Sequence, residues 1–252
     1  MTRIISVISG KGGTGKTMIT ANLGIALAEM GKDVTIVDGN LTTPNLGLHL
    51  GIPLFPKSLH DVLKGRAKIK DAIYEHDSGL KIVPAGIGLN DLKGINIRNF
   101  SNILLGLLGN TDFVILDGAA GLGREAIAAM ENSDEVLLIT NPELPAVLDA
   151  MKAAKIAEEV GANVLGVVIN RITNKKHELT DKEIRDLLDL PIIAKISEDE
   201  DIRKSITMKI PIIKYKPNSS NSIELRMLAS FIAGESFEYS LPWYKRIFSF
   251  FR

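Results

Sequence analysis

Residues 6–17 read SVISGKGGTGKT, and this stretch limits the fold more than any other feature of the 252-residue chain. Gly10, Gly15, Lys16 and Thr17 meet the spacing G-x-x-x-x-G-K-[ST]. An apolar run at 3–9 precedes the loop and a helical pattern follows from Lys16, so strand, loop and helix come in the order the motif requires. Glycines at 10, 12, 13 and 15 let the backbone turn its N–H groups toward a phosphate, and the helix N-terminus adds partial positive charge. Lys16 is placed to neutralise β- and γ-phosphate charge and the Thr17 hydroxyl to ligate Mg²⁺. Lys11 is one lysine more than this pattern needs.

A phosphate loop of this kind belongs to an α/β sheet, and the rest of the chain reads that way. Short β-branched runs at 3–9, 33–38, 80–85, 112–117, 135–140, 163–170 and 190–196 alternate with helical patterns near 16–30, 98–108, 122–131, 144–160, 178–189 and 219–233. Runs that are apolar throughout, not alternating, belong to strands buried on both faces. The expected fold is therefore a doubly wound, mostly parallel sheet with helices on both faces. It spans 1–233, followed by a linker at 234–242 and a distinct segment at 243–252. Composition agrees, with 45 % apolar and 24 % charged residues.

Asp38 closes the run TIV and Asp117 closes FVIL, which puts both at the carboxyl edge of the sheet beside the loop. Either alone could be a turn or capping aspartate. With the phosphate loop they read as Mg²⁺ ligands, together with Thr17.

Thirty basic residues balance 30 acidic ones, which gives no global reason to expect nucleic acid as a partner. The chain has no cysteine, so disulfides, thiolate zinc sites and iron–sulfur clusters are excluded. The four histidines lack metal-ligand spacing. No apolar run approaches the ~20 residues of a spanning helix, and no signal-peptide pattern opens the sequence. The expected location is the cytoplasm.

Aromatic residues make up 5 % of the chain, yet five of the last ten positions are aromatic. At 100° per residue, Trp243, Ile247, Phe248, Phe250 and Phe251 fall with Tyr244 within an arc of about 160°, and Lys245, Arg246 and Arg252 lie opposite. A basic amphipathic segment of this kind suits the interface of an anionic membrane. A helix folded on the chain's own core and a partner-binding peptide are the alternatives.

KGGTGKT at 11–17 resembles the deviant Walker A signature of the ParA/MinD family of dimeric ATPases. VDGNLTTPNLGLHLG (37–51), DFVILDGAAGLG (112–123), TNPELPAVLDAMKAAKI (140–156) and GVVINR (166–171) are similar to its MinD-like members, in the family's order. The resemblance implies ATP with Mg²⁺, a nucleotide-sandwich homodimer, and slow hydrolysis. Lys11 would reach the phosphates held by the other subunit. Gly12, Gly13, Thr14, Gly15, Lys16, Thr17 and Met18 would cradle the nucleotide, with Asn170 and Arg171 at the base. Nothing in the spacing excludes GTP, and Asn170 at a strand end could also be a turn former. Lys11, Lys16, Asp38 and Asn40 form the implied catalytic set.

The resemblance further implies reversible, peripheral attachment to the cytoplasmic face of the membrane and the positioning of unidentified cargo or activator proteins. Two departures bear on rate. Asn40 stands where the family commonly has a second switch aspartate, and Ala119 where it has a proline. An asparagine orients water but cannot serve as a base. A DNA-partition ATPase and a nucleotide-gated adaptor with little hydrolysis remain alternative readings.

Overall fold

Strands that are apolar on both faces need cover on both faces. The sheet has it in the computed structural model, which describes residues 1–237 apart from 53, 54, 89 and 96. Its strands are β1 (Arg3–Ser9), β2 (Val34–Asp38), β3 (Tyr74–Glu75), β4 (Lys81–Val83), β5 (Phe113–Ala120), β6 (Glu135–Thr140), β7 (Asn163–Ile172) and β8 (Ile192–Ser197). They lie in the order β3-β4-β2-β5-β1-β6-β7-β8. Every neighbouring pair is parallel except β3 against β4.

Successive residues of each strand point to opposite faces, and each face has its own core. On one face Val7, Ile36, Ile115, Leu137 and Val168 pack against α1 (Lys16–Glu29) and α10 (Ser220–Ala233), through Leu23, Leu27 and Leu228. Short helices α2 (Leu46–His49), α8 (Glu200–Thr207) and α9 (Ile212–Tyr215) complete that layer through Leu46, Ile202 and Ile213. On the other face Ile8, Val37, Leu116 and Leu138 meet α3 (Leu59–Leu63), α4 (Phe100–Leu105), α5 (Arg124–Glu131), α6 (Leu144–Glu159) and α7 (Asp181–Leu188). The sheet winds to one side of β1 through β5, β2 and β4 and to the other through β6 to β8. The loop after β1 thus sits where the winding reverses, the usual place for a ligand in an open α/β sheet.

The expected doubly wound sheet is present. Its long strands and helices match the sequence pattern to within a few residues, apart from 98–108. There α4 ends at Leu105 and the chain turns over 106–109, with Gly109 in the left-handed conformation at φ +79. The helix expected at 178–189 starts at Asp181, where Thr180 and Glu183 form a reciprocal capping box. The pattern misses α2, α3, α8, α9 and β3, all of eight residues or fewer. So few residues yield too few turns for periodicity to register. α8 had one readable sign, Asp199, whose carboxylate accepts from the Asp201 N–H at 2.8 Å. α10 stops at Ala233 with Gly234 as its left-handed cap. The segment 243–252 and most of the linker lie outside the described residues.

Candidate nucleotide and metal site

The loop between β1 and α1 passes so close to its neighbours that two glycines are dictated by space. A Cβ on Gly10 would lie 2.4 Å from the Asp149 backbone in α6. Gly15 has φ +97, and a Cβ there would lie 2.1 Å from the Asn170 amide nitrogen. No side chain caps α1, so its first N–H groups face the loop free for an anion.

Asp38 and Asp117 lie directly opposite each other in the β2–β5 register. Both are buried, as is Lys16. Asp38 accepts from the N–H groups of Asn40 at 3.2 Å and Leu46 at 3.1 Å. Asp117 Oδ1 accepts from the Thr20 hydroxyl at 3.4 Å, and its Oδ2 has no hydrogen-bond partner although it is buried. Burial lifts the Asp117 carboxyl to about 6, against the pull of the Thr17 hydroxyl and the Lys16 ammonium. Burial and the neighbouring Asp117 push Asp38 well above the ordinary carboxylate range. Burial lowers Lys16, while Asp117 and Asp38 pull it back. Two buried carboxylates thus share one buried ammonium, a local shortage of positive charge.

A divalent cation fits that shortage. The donors at hand are hard oxygens, two carboxylates and the Thr17 hydroxyl, as Mg²⁺ prefers, and Asp117 Oδ2 still lacks a partner. Asp38, Asp117 and Thr17 would hold the ion, which would supply charge neutralisation at the β- and γ-phosphates.

The remaining expected residues fall into three places. Lys11 stands on the outer lip of the loop, about one-third exposed, with its ammonium 2.9 Å from Glu143. Asn40 lies in the segment after β2, where its amide donates to the Thr43 carbonyl at 2.7 Å and its Oδ1 accepts from the Thr43 N–H at 3.2 Å. Met18, Asn170 and Arg171 line a small cavity of ≈ 60 Å³ with Glu198, Asp199 and Arg203. There Asn170 donates to the Thr14 carbonyl at 2.6 Å and ties β7 to the phosphate loop.

Sequence reasoning missed Glu143, whose side chain holds Lys11. It also missed Glu125 in α5, which accepts from the Thr42 hydroxyl at 2.6 Å and ties α5 to the segment after β2. His60 is a third omission. It is fully buried, its Nδ1 accepts from the Gly86 N–H at 2.8 Å, and its Nε2 has no partner. All three depend on contacts between distant segments, and no local pattern marks them.

Comparison with known proteins agrees with this geometry. Residues 5–212 match the model of the CobQ/CobB/MinD/ParA nucleotide-binding domain. An uncharacterised ATP-binding protein of Methanocaldococcus jannaschii is 35 % identical over 97 % of this chain and 92 % of its own length. The septum site-determining protein MinD of Thermotoga maritima is also 35 % identical, over 93 % of this chain and 89 % of its own. The structure of MinD from Pyrococcus horikoshii, complexed with Mg-ADP, superposes with a TM-score of 0.89 at 40 % identity, covering 92 % of this chain and 96 % of that one. The chain with the lysine pair, the paired strand-end aspartates and the doubly wound sheet belongs to the ParA/MinD family, as a MinD-like ATPase.

Proposed function

We propose that this chain is a slow, ATP-driven switch that dimerises around nucleotide, attaches reversibly to the membrane through residues 243–252, and positions partner proteins there. The observation that carries this reading is Lys11. It sits at the outer lip of the phosphate loop, beside a site that already has its own buried lysine. Its exposed ion pair with Glu143 is worth less than about 1 kcal/mol, so little holds it back from a second subunit's phosphates. Supplied in trans, it would stabilise charge developing on the transferred phosphoryl group.

Within one subunit, Lys16 and the α1 N-terminus bind the phosphates, Thr17, Asp38 and Asp117 hold Mg²⁺, and Asn40 orients the attacking water. The Mg-ADP bound to the Pyrococcus horikoshii protein supports this choice of nucleotide and ion. Dimerisation would present two short amphipathic segments together, and the second contact would then be effectively intramolecular. That couples ATP to membrane residence.

Co-sedimentation with anionic liposomes tests the reading, with ATP or ADP, for the full chain, a chain ending at Ser240, and Lys11→Ala. Binding should require ATP, the tail and Lys11, while Lys11→Ala still binds ATP as a monomer. Nucleotide-indifferent binding by the full chain, or a normal dimer from Lys11→Ala, would overturn it.

One observation favours a second reading, a nucleotide-gated adaptor with little turnover. The Asn40 side chain is engaged on both sides by Thr43, so it must leave that turn before it can orient water. Phosphate release with and without lipid separates the two: a rate that stays near zero in both favours the adaptor.

A further inference from the structure

The end of the molecule opposite the nucleotide carries a groove of ≈ 740 Å³ between the 3₁₀ turn at Ile69–Ala72 and the end of α4. Its floor is apolar, from Ile69, Ile73 and Leu107, and Lys68 and Lys70 stand on its rim. Both lysines are exposed, and neither has a carboxylate within ion-pair distance among the described residues. Beside the groove Leu105 is 59 % and Leu108 38 % exposed, an apolar turn open to solvent.

The groove and the root of the C-terminal tail share the amino edge of the sheet, on opposite faces of it. Glu235, just past α10, pairs with Lys32. The next residue, Asp33, holds Lys81 on the groove at 2.8 Å. Two consecutive residues therefore connect the root of the tail to the groove wall.

Building on the membrane reading above, we propose that this groove and the Leu105–Leu108 turn form a second membrane contact. The apolar floor would take an acyl chain and Lys68 and Lys70 an anionic headgroup. Charge selects lipid over the chain's own tail, because residues 243–252 carry Lys245, Arg246 and Arg252 and no acid. Cationic rim and cationic tail repel, whereas both are drawn to an anionic surface. With the tail rooted at the same edge of the sheet as the groove, a surface facing that edge can engage both contacts, and effective concentration strengthens both.

The test uses the full chain with ATP and vesicles of phosphatidylglycerol mixed with phosphatidylcholine. Lys68→Ala with Lys70→Ala should weaken vesicle binding on the order of 20-fold, at about fivefold per lysine near an anionic surface. Nucleotide-dependent dimerisation and lipid-free turnover should be unchanged, which also reports that the variant folds. A photoreactive phosphatidylglycerol should crosslink within 68–73 and 105–108 of the unaltered chain. Unchanged vesicle affinity of the double variant, or crosslinks confined to 238–252, overturns the groove proposal and leaves the tail-driven switch intact. Failure of the unaltered chain to bind vesicles at all overturns the membrane reading and this contact with it. A loss of affinity that is equal on phosphatidylcholine alone excludes the headgroup role and overturns the proposal as stated.

Discussion

The two edges of the sheet are built on opposite principles. At the amino edge, charges are near the surface, and those beside the strand starts are paired. Arg3 donates to Glu135 at 2.7 Å and stacks 5.3 Å over Phe113, Lys32 meets Glu235, and Lys81 meets Asp33. At the carboxyl edge, Lys16, Asp38 and Asp117 are buried, and the charges do not balance. The buried side-chain atoms without a hydrogen-bond partner, among the described residues, are Thr14 Oγ1, His60 Nε2, Asp117 Oδ2 and Asn141 Oδ1. All four belong to the carboxyl end or to the loops and helices leaving it. An unmet buried polar atom costs about 1–3 kcal/mol, so the carboxyl edge gives up stability that the amino edge keeps, and a ligand or water at Asp117 and the phosphate loop would restore part of it. The molecule holds its stability at the amino edge and gives part of it up for binding at the carboxyl edge.

The largest effect is expected from Lys16→Ala. It removes the lone buried ammonium between two carboxylates and should weaken ATP binding by about 2–5 kcal/mol. Titration with a fluorescent ATP analogue measures this; a loss below tenfold would mean that the loop backbone alone holds the phosphates.

Next in size is Asp117→Asn, with opposite effects on stability and function. The Asp117 carboxyl is raised from 3.8 to about 6 in the folded chain. The folded state therefore holds that proton more tightly than the unfolded one, and the ionised form costs stability above pH 6. Without nucleotide, the contribution from this group should improve as pH falls from 7 toward 4. The Asn variant should lose that dependence and be more stable at pH 7 by about 1–3 kcal/mol. It should also lose the Mg²⁺ dependence of nucleotide affinity, which in the native chain should decline below pH 6. Thermal melts across pH, with and without Mg-ADP, check both halves. A variant less stable than the native chain at pH 7 would show that the site is balanced after all.

Asn40→Asp sharpens the same edge. A carboxylate that can accept a proton should raise phosphate release roughly tenfold or more. No change would place the limiting step elsewhere. The smallest effect belongs to the amino edge, where Lys32→Met removes an exposed ion pair. Stability should change by less than about 1 kcal/mol and nucleotide affinity not at all. A larger effect in a denaturant titration would show that the pair anchors α10 more firmly than surface charges usually do.

The sequence by itself determined the class of fold and the phosphate half of the site. Apolar runs with no alternation require a covered parallel sheet, and the glycine spacing with Lys16 and Thr17 is a local code that needs no distant contact. The positions of Asp38 and Asp117 at strand ends were legible for the same reason. Tertiary structure alone decided that these two aspartates face each other across β2 and β5, and so that they compete for one ammonium. It also decided that Glu143 holds Lys11 and that Asn170 is tied to Thr14. The groove at the amino edge has no sequence signature either, because its walls come from segments far apart in the chain. Periodicity reports which face of an element is buried, whereas charge balance and hydrogen-bond satisfaction depend on which elements become neighbours.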